Sequence, residues 1–228
     1  GLLSDGETKA NDDDTDADGI KDGIEDSDRD GIFDIGLDTN PLDKDTDNDG
    51  IEDGVEDIGQ DGIVSVDAFG NPLETDPRVS DSDNDGLSDG QEDSNKNGIT
   101  DEIVNENGTI VAIETHPLIP DSDGDTLLDG DEVTIFKTNP LLRDSDGDTL
   151  YDNDELTIHN TSPINADTDT DGVTDQIEIS IGLNPNNTDT DTDGLADGQE
   201  DRNNNGIIDS GETNPLLSDT DNDGLLDG

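Results

Sequence analysis

Carboxylates recur along this chain at a spacing that could hold metal ions. Asp14, Asp16 and Asp18 are followed by Ile20, Asp22 and Glu25. The same order of residue types, Asp-x-Asp-x-Asp-Gly/Thr-hydrophobic-x-Asp-x-x-Glu, returns six more times. The copies are Asp45, Asp47, Asp49, Ile51, Asp53, Glu56; Asp81, Asp83, Asp85, Leu87, Asp89, Glu92; Asp121, Asp123, Asp125, Leu127, Asp129, Glu132; Asp144, Asp146, Asp148, Leu150, Asp152, Glu155; Asp167, Asp169, Asp171, Val173, Asp175, Glu178; and Asp189, Asp191, Asp193, Leu195, Asp197, Glu200. An eighth copy opens with Asp219, Asp221, Asp223, Leu225 and Asp227. Carboxylates at positions one, three, five, nine and twelve, with the carbonyl of position seven, can close around one hard cation. So many oxygen donors favour calcium over magnesium or a transition metal. Position twelve can bind with both oxygens, and glycine at position six permits the positive φ the turn needs.

A second loop is butted onto some of these, twelve residues on: Asp26, Asp28, Asp30, Ile32, Asp34; Asp93, Asn95, Asn97, Ile99, Asp101; and Asp201, Asn203, Asn205, Ile207, Asp209, Glu212. The Asp93 copy has Val104 at its last position, so a polar turn competes with a site there. From Asp57 the pattern is degraded. Gly59 and Ser65 remove two ligands, and a turn is the preferred reading. At Asp121 and Asp144 a threonine, Thr126 or Thr149, stands where glycine is expected. β-Branched residues resist positive φ, so these loops are expected to turn earlier, at Gly124 and Gly147, or to bind more weakly.

Composition sets the problem those loops must solve. There are 65 acidic residues against 9 basic ones, a net charge of -56, with 25% hydrophobic and 2% aromatic residues. A chain like this buries too little apolar surface to offset its ordering entropy, and it repels itself. No cysteine is present to staple it, which leaves metal ions. Full neutralisation would take about 28 divalent ions, a ceiling; one per full loop is the floor. Phosphate would be repelled, which argues against nucleic acid, and anionic lipid is no better a partner. No segment is long and apolar enough to be inserted in a membrane.

The elements that must hold the loops are short. Units start near 14, 45, 81, 121, 144, 167, 189 and 219, and from the second onward a proline stands four residues before the first Asp: Pro41, Pro77, Pro117, Pro140, Pro163, Pro185 and Pro215. Proline ends whatever precedes it and fixes a turn. DEVTIFK, NDELTIHN and DQIEISIG each fit one or two helical turns. Residues 102–114, with Asn107-Gly108 between β-branched runs, read as a hairpin, and residues 64–74 as a weaker one. The amphipathic helices of a paired EF-hand are missing. The fold class expected is an irregular calcium-stabilised repeat array, a solenoid-like string of EF-hand-like loops over residues 1–228. It has little regular secondary structure, short helical turns and one or two hairpins. Both ends read as mid-repeat, so a fragment of a longer tandem array is expected.

Loops of the form DxDxDGLxDGxE, introduced by TNPL or TDP, resemble thrombospondin type 3 repeats of the bacterial kind over nearly the whole chain. The resemblance implies backbone wrapped around a file of calcium ions, and an extracellular or cell-surface protein using the repeats as stalk, spacer or adhesive segment. Animal repeats of this type carry disulfides, which are absent here.

The function expected is a calcium-rigidified structural or adhesive segment, with calcium ions, tandem continuation or self-association as its partners, and a fibre as one outcome. Two other classes stand beside it: an acidic calcium buffer or mineral-interacting polymer, and a dockerin-like recognition module. The last needs two loops with long helices. Asn107, Asn160 and Asn186 head sequons that could carry glycans. No enzyme is expected: there is no thiol, and His116 and His159 sit beside turn-forming prolines.

Overall fold

A computed structural model describes residues 8, 13–98, 102–104 and 110–228. It is a repeat array with little regular secondary structure. Contacts divide it into two compact units: Gly1–Ser122 with Leu128–Asp131, and Asp123–Leu127 with Glu132–Gly228. In the first unit the helical turns are α1 (Asp22–Glu25), α2 (Asp53–Glu56) and α3 (Asp89–Glu92). Strands β1 (Glu102–Val104) and β2 (Ile110–Ile113) pair antiparallel, Glu102 opposite Ile113. Residues 105–109, where a turn is expected, lie outside the described residues. Over residues 64–74 a single antiparallel bridge, Val66 to Pro72, stands in place of strands. Next in chain order come α4 (Asp129–Asp131), followed by a π-helical turn Glu132–Phe136, and α5 (Asp152–Asp154), followed by Glu155–His159. Finally α6 (Asp175–Ile181) and α7 (Asp197–Glu200) belong to the second unit.

Every helical turn starts at loop position nine, because the loop delivers the chain there already bent. Side chains bend it. Asp45 accepts the Gly50 N–H at 3.0 Å, Asp47 that of Asp49 at 3.1 Å, and Asp49 that of Ile51 at 2.7 Å. These are aspartate turns in series. They force positive φ at positions four and six, as at Asn48 (64°) and Gly50 (100°). The threonine loops do not turn earlier. Gly147 has φ 84°, as position four does elsewhere, and Thr149 still takes φ 85° and donates to Asp144 at 2.9 Å. The aspartate bonds outweigh the strain of a β-branched residue in that region.

The hydrophobic core is thin. Position seven points inward in Ile20, Ile51, Leu87, Leu127 and Val173, joined by Leu183. It does not in every loop: Ile32, Ile63 and Ile207 of the butted loops and Leu225 are exposed. Most of what is buried is acidic, including Glu25, Glu56, Glu92, Glu155, Glu178 and Glu200.

Successive loops dock through position ten. A Cβ on Gly54 would lie 2.3 Å from the Asp18 carbonyl, on Gly90 2.4 Å from that of Asp49, and on Gly198 2.4 Å from that of Asp171. Only glycine lets the backbones approach this closely. The position-ten N–H then donates to the earlier loop's position-five carboxylate, Gly90 to Asp49 and Gly198 to Asp171 at 3.2 Å. Asn153 and Gln176 make the same bond, to Asp125 and Asp148, at 3.3 and 3.2 Å.

Candidate metal centres

At loop positions one and three the aspartates spend one oxygen on the backbone and present the other, and the position-twelve glutamates present theirs. In the loop at 45–56, Asp45 Oδ1, Asp47 Oδ2 and both oxygens of Glu56 are buried and accept no hydrogen bond. Asp81 Oδ1, Asp83 Oδ2 and both Glu92 oxygens repeat this, as do Asp167 Oδ1, Asp169 Oδ2 and both Glu178 oxygens. Asp16 Oδ2 with Glu25, Asp191 Oδ2 with Glu200, and Asp146 Oδ2 with Glu155 Oε2 follow the same plan. Glu155 Oε1 accepts the Thr161 hydroxyl at 3.1 Å. A buried carboxylate without a partner costs several kcal/mol, so native proteins seldom leave one.

The oxygens gather in groups of three. One group is Asp45, Asp47 and Asp49; a second is Asp49, Glu56 and Asp89, the last from the following loop. Asp14, Asp16, Asp18 and then Asp18, Glu25, Asp53 reproduce the pair. Within each group the ligand atoms lie within 4.8 Å of one another. Oxygens that bind one calcium at about 2.4 Å cannot be further apart than this. In the loops from Asp14 and Asp45 the groups thus fit two hard cations each, with the position-five carboxylate common to both and position nine lent by the next loop.

Position nine has a structural task as well. Thr46 donates its N–H to Asp53 Oδ1 at 2.7 Å and its hydroxyl to Oδ2 at 2.6 Å. The same hydroxyl accepts the Asn40 N–H at 2.8 Å, just before Pro41. Equivalent relays join Ser82 to Asp89, Ser145 to Asp152, Thr168 to Asp175 and Thr190 to Asp197. The proline turn is tied to its loop by this bridge. Its sequence signal is serine or threonine at position two of all eight main loops.

Electrostatics mark the same residues. Burial pushes the Glu56 carboxyl up to about 10, reinforced by Asp47, Asp49 and Asp89 and tempered by the Thr75 hydroxyl. Burial, with neighbouring aspartates, raises Glu25, Glu92 and Glu178 to about 9 and Glu155 to about 8. Asp47 rises to about 7 and Asp18, Asp53, Asp83, Asp89, Asp146 and Asp169 to about 6, burial leading in each case.

The butted loops are wired differently. Asp26, Asp28 and Asp30 form a three-carboxylate group, largely exposed. What Asp53 does in a main loop is done here by an acid further along. Asp38 accepts the Ser27 N–H at 2.9 Å, the Ser27 hydroxyl at 2.6 Å and the Asp34 N–H at 3.0 Å. Glu114 accepts Ser94 and Asn95, and Glu212 accepts Arg202 and Asp209. In the loop from Asp201, Asn203 and Asn205 donate to Asp209 at 3.0 and 3.2 Å, so its polar groups are paired internally. Ile99 and Asp101 lie outside the described residues. The legible signal is an acid directly before Thr-x-Pro: Asp38, Glu74, Glu114 and Glu212. Units without a butted loop have Lys137, Asn160 or Gly182 there. The loop 121–132 divides between the two units: Asp121 and Asp129 belong to the first, Asp123, Asp125, Leu127 and Glu132 to the second.

These segments are those of a known repeat class. The family model described as bacterial TSP3 repeat matches residues 45–58, 81–95, 121–142 and 167–188. Those four segments match the bacterial TSP3 repeat, as the loop motifs indicated. A solved structure described as a biofilm associated protein BSP domain is similar at 40% identity and a TM-score of 0.19. The match covers 19% of this chain and 7% of that one, so the chain spans a small part of that protein. No curated protein matches the sequence. Among the described residues no helix is long and apolar enough to cross a membrane.

Proposed function

We propose that the full loops bind calcium and that the bound ions fold and stiffen this segment as a structural or adhesive part of a surface or extracellular protein. The observation that carries the reading is the row of buried glutamates. Glu25, Glu56, Glu92, Glu178 and Glu200 are at most 2% exposed, and no backbone N–H reaches either oxygen of any of them; a single threonine hydroxyl faces each of Glu56, Glu92 and Glu200. Within a loop, positions one, three and five, the position-seven carbonyl and the glutamate would hold one ion. Position five, the same glutamate and position nine of the next loop would hold another. The ions supply the positive charge that lets these carboxylates stay buried and ionised; the chain supplies the spacing, through its aspartate turns and threonine relays. The butted loops from Asp26, Asp93 and Asp201 would add weaker sites.

The repeat family supports a calcium-binding role and a place outside the cell. Affinities of about 10⁻⁴ to 10⁻³ M suit such a place. The test is a calcium titration of the chelated protein followed by circular dichroism and small-angle scattering. Uptake of ions with a concerted gain of structure and compaction supports the reading. Uptake with the chain remaining expanded would favour the buffering polymer instead, and no uptake refutes both.

A further inference from the structure

We propose that the degraded loop starting at Asp57 holds a hard divalent cation of its own, through Asp57, Asp61 and Glu74, with the place beside Gly59 left to water. The proposal rests on the calcium reading of the full loops and extends it to a segment whose sequence argues against a site. Gly59 and Ser65 do remove two ligands. The loop is nevertheless built. Gln60 and Gly62, at positions four and six, take φ 49° and 75°, as those positions do throughout the chain. The Gly62 N–H closes onto Asp57 Oδ2 at 2.6 Å, the distance Gly206 makes to Asp201. Glu74 replaces the missing brace at Ser65, accepting the Ile58 N–H at 3.0 Å on one oxygen and the Ser65 N–H on the other.

The remaining oxygen of Asp57 points to a ligand. Asp57 is 2% exposed, and its Oδ1 is buried and accepts no hydrogen bond. A methyl group on Gly59 would sit 3.4 Å from Asp57 Oδ1 and 3.6 Å from Asp61 Oδ1, so both oxygens border the space beside a residue with no side chain. Carboxylate oxygens of two residues thus border the place where position three has no side chain. A cation there would keep water at that position, bind more weakly than its neighbours and exchange faster.

Two substitutions in the full chain test this, with bound calcium counted by native mass spectrometry and affinities read by calorimetry. Asp61→Asn keeps an oxygen for the Ile63 N–H, which Asp61 accepts at 3.1 Å, and removes the charge. It is expected to lower the count by one ion and leave the tighter sites unchanged. Gly59→Asp restores a carboxylate at position three. The added Cβ meets only ordinary contact distances, and the Gly59 backbone lies outside the positive-φ region. It is expected to tighten the weakest class of site about tenfold without changing the count. An unchanged count in Asp61→Asn, or no tightened site in Gly59→Asp, overturns this site and leaves the full loops as read. A chain that takes up no calcium overturns the full loops and this site together.

Discussion

The main loop at 45–56 and the butted loop at 26–38 share a motif and differ in what satisfies it. Ile51 is buried, while Ile32 is exposed. Glu56 is buried with two bare oxygens; Asp38 is equally buried and is saturated by Ser27 and Asp34. Burial raises the Asp38 carboxyl, yet these hydrogen bonds prevail and hold it below its usual range, whereas at Glu56 only the Thr75 hydroxyl opposes burial, and burial prevails. Position in a motif therefore does not settle whether a carboxylate needs a cation; its supply of N–H and O–H donors does. Main loops leave buried carboxylate oxygens with few donors, and butted loops supply the donors themselves.

The largest expected effect separates the two kinds outright. Removing calcium should abolish amide protection at positions six and seven of the main loops, Gly50 and Ile51 among them. The Ser27 and Asp34 amides, held by Asp38, should exchange more slowly than these. Hydrogen exchange in chelator checks this, and uniform loss at equal rates would erase the distinction.

Next in size is Gly90→Ala. With a Cβ 2.4 Å from the Asp49 carbonyl, the following loop must shift from its present seat, Asp89 is drawn away from the Asp49–Glu56 group, and at least one ion should be lost from that pair of loops. An ion count equal to wild type would contradict the shared site.

Glu56→Gln against Asp38→Asn sharpens the comparison directly. The first should weaken calcium binding at its loop by at least the roughly 10- to 100-fold seen when even outer partners of a metal ligand are lost. The second should leave main-loop affinity unchanged and cost about 1–3 kcal/mol of stability in calcium. Site-resolved titration and thermal unfolding of both variants decide between the roles.

The effect of pH carries a definite sign. Without cation, Glu56 and Glu92 are raised from 4.5 to about 10 and about 9. Below pH 4.5 they are protonated in folded and unfolded chains alike, and their contribution to the ion-free fold is fully present. It is lost as pH rises through that value toward 9 to 10, where the unfolded chain has long been ionised. The ion-free protein should therefore grow more compact on acidification. In calcium the dependence reverses, since protons compete for the same oxygens and binding should release them. Scattering of dialysed protein across pH, beside calorimetry in buffers of differing ionisation heat, measures both limbs. Smallest of all is Thr149→Gly, which relieves a β-branched residue at φ 85° and should stabilise the loaded protein by about 1 kcal/mol in thermal unfolding.

The ligand spacing was legible because it is local: Asp45 to Glu56 is one continuous stretch, and its aspartate turns follow from residue type alone. So were the helical turns and the proline boundaries. What escaped was non-local. The acids bracing the butted loops lie 10 to 20 residues from the donors they accept at the loop's start, as in the Arg202 N–H to Glu212 and the Ser94 hydroxyl to Glu114. An insert of any length can intervene without altering the loop text. The hydroxyl at position two was visible in every main loop, but serine and threonine are common in turns and only the relay to Asp53 gives them meaning. Thr126 and Thr149 misled for the opposite reason, a backbone preference overruled by side-chain bonds.

The position-ten contact also sets an order of events along the chain. A loop closes only when a residue downstream reaches back, 41 residues from Gly90 to Asp49, 28 from Asn153 to Asp125 and 27 from Gly198 to Asp171. Chain emerging N-terminus first, from a ribosome or an export pore, would complete its loops one after another, each after a delay set by the length of the intervening unit. Loop-closure entropy grows only slowly with such lengths, so the longer units cost time in emergence more than free energy.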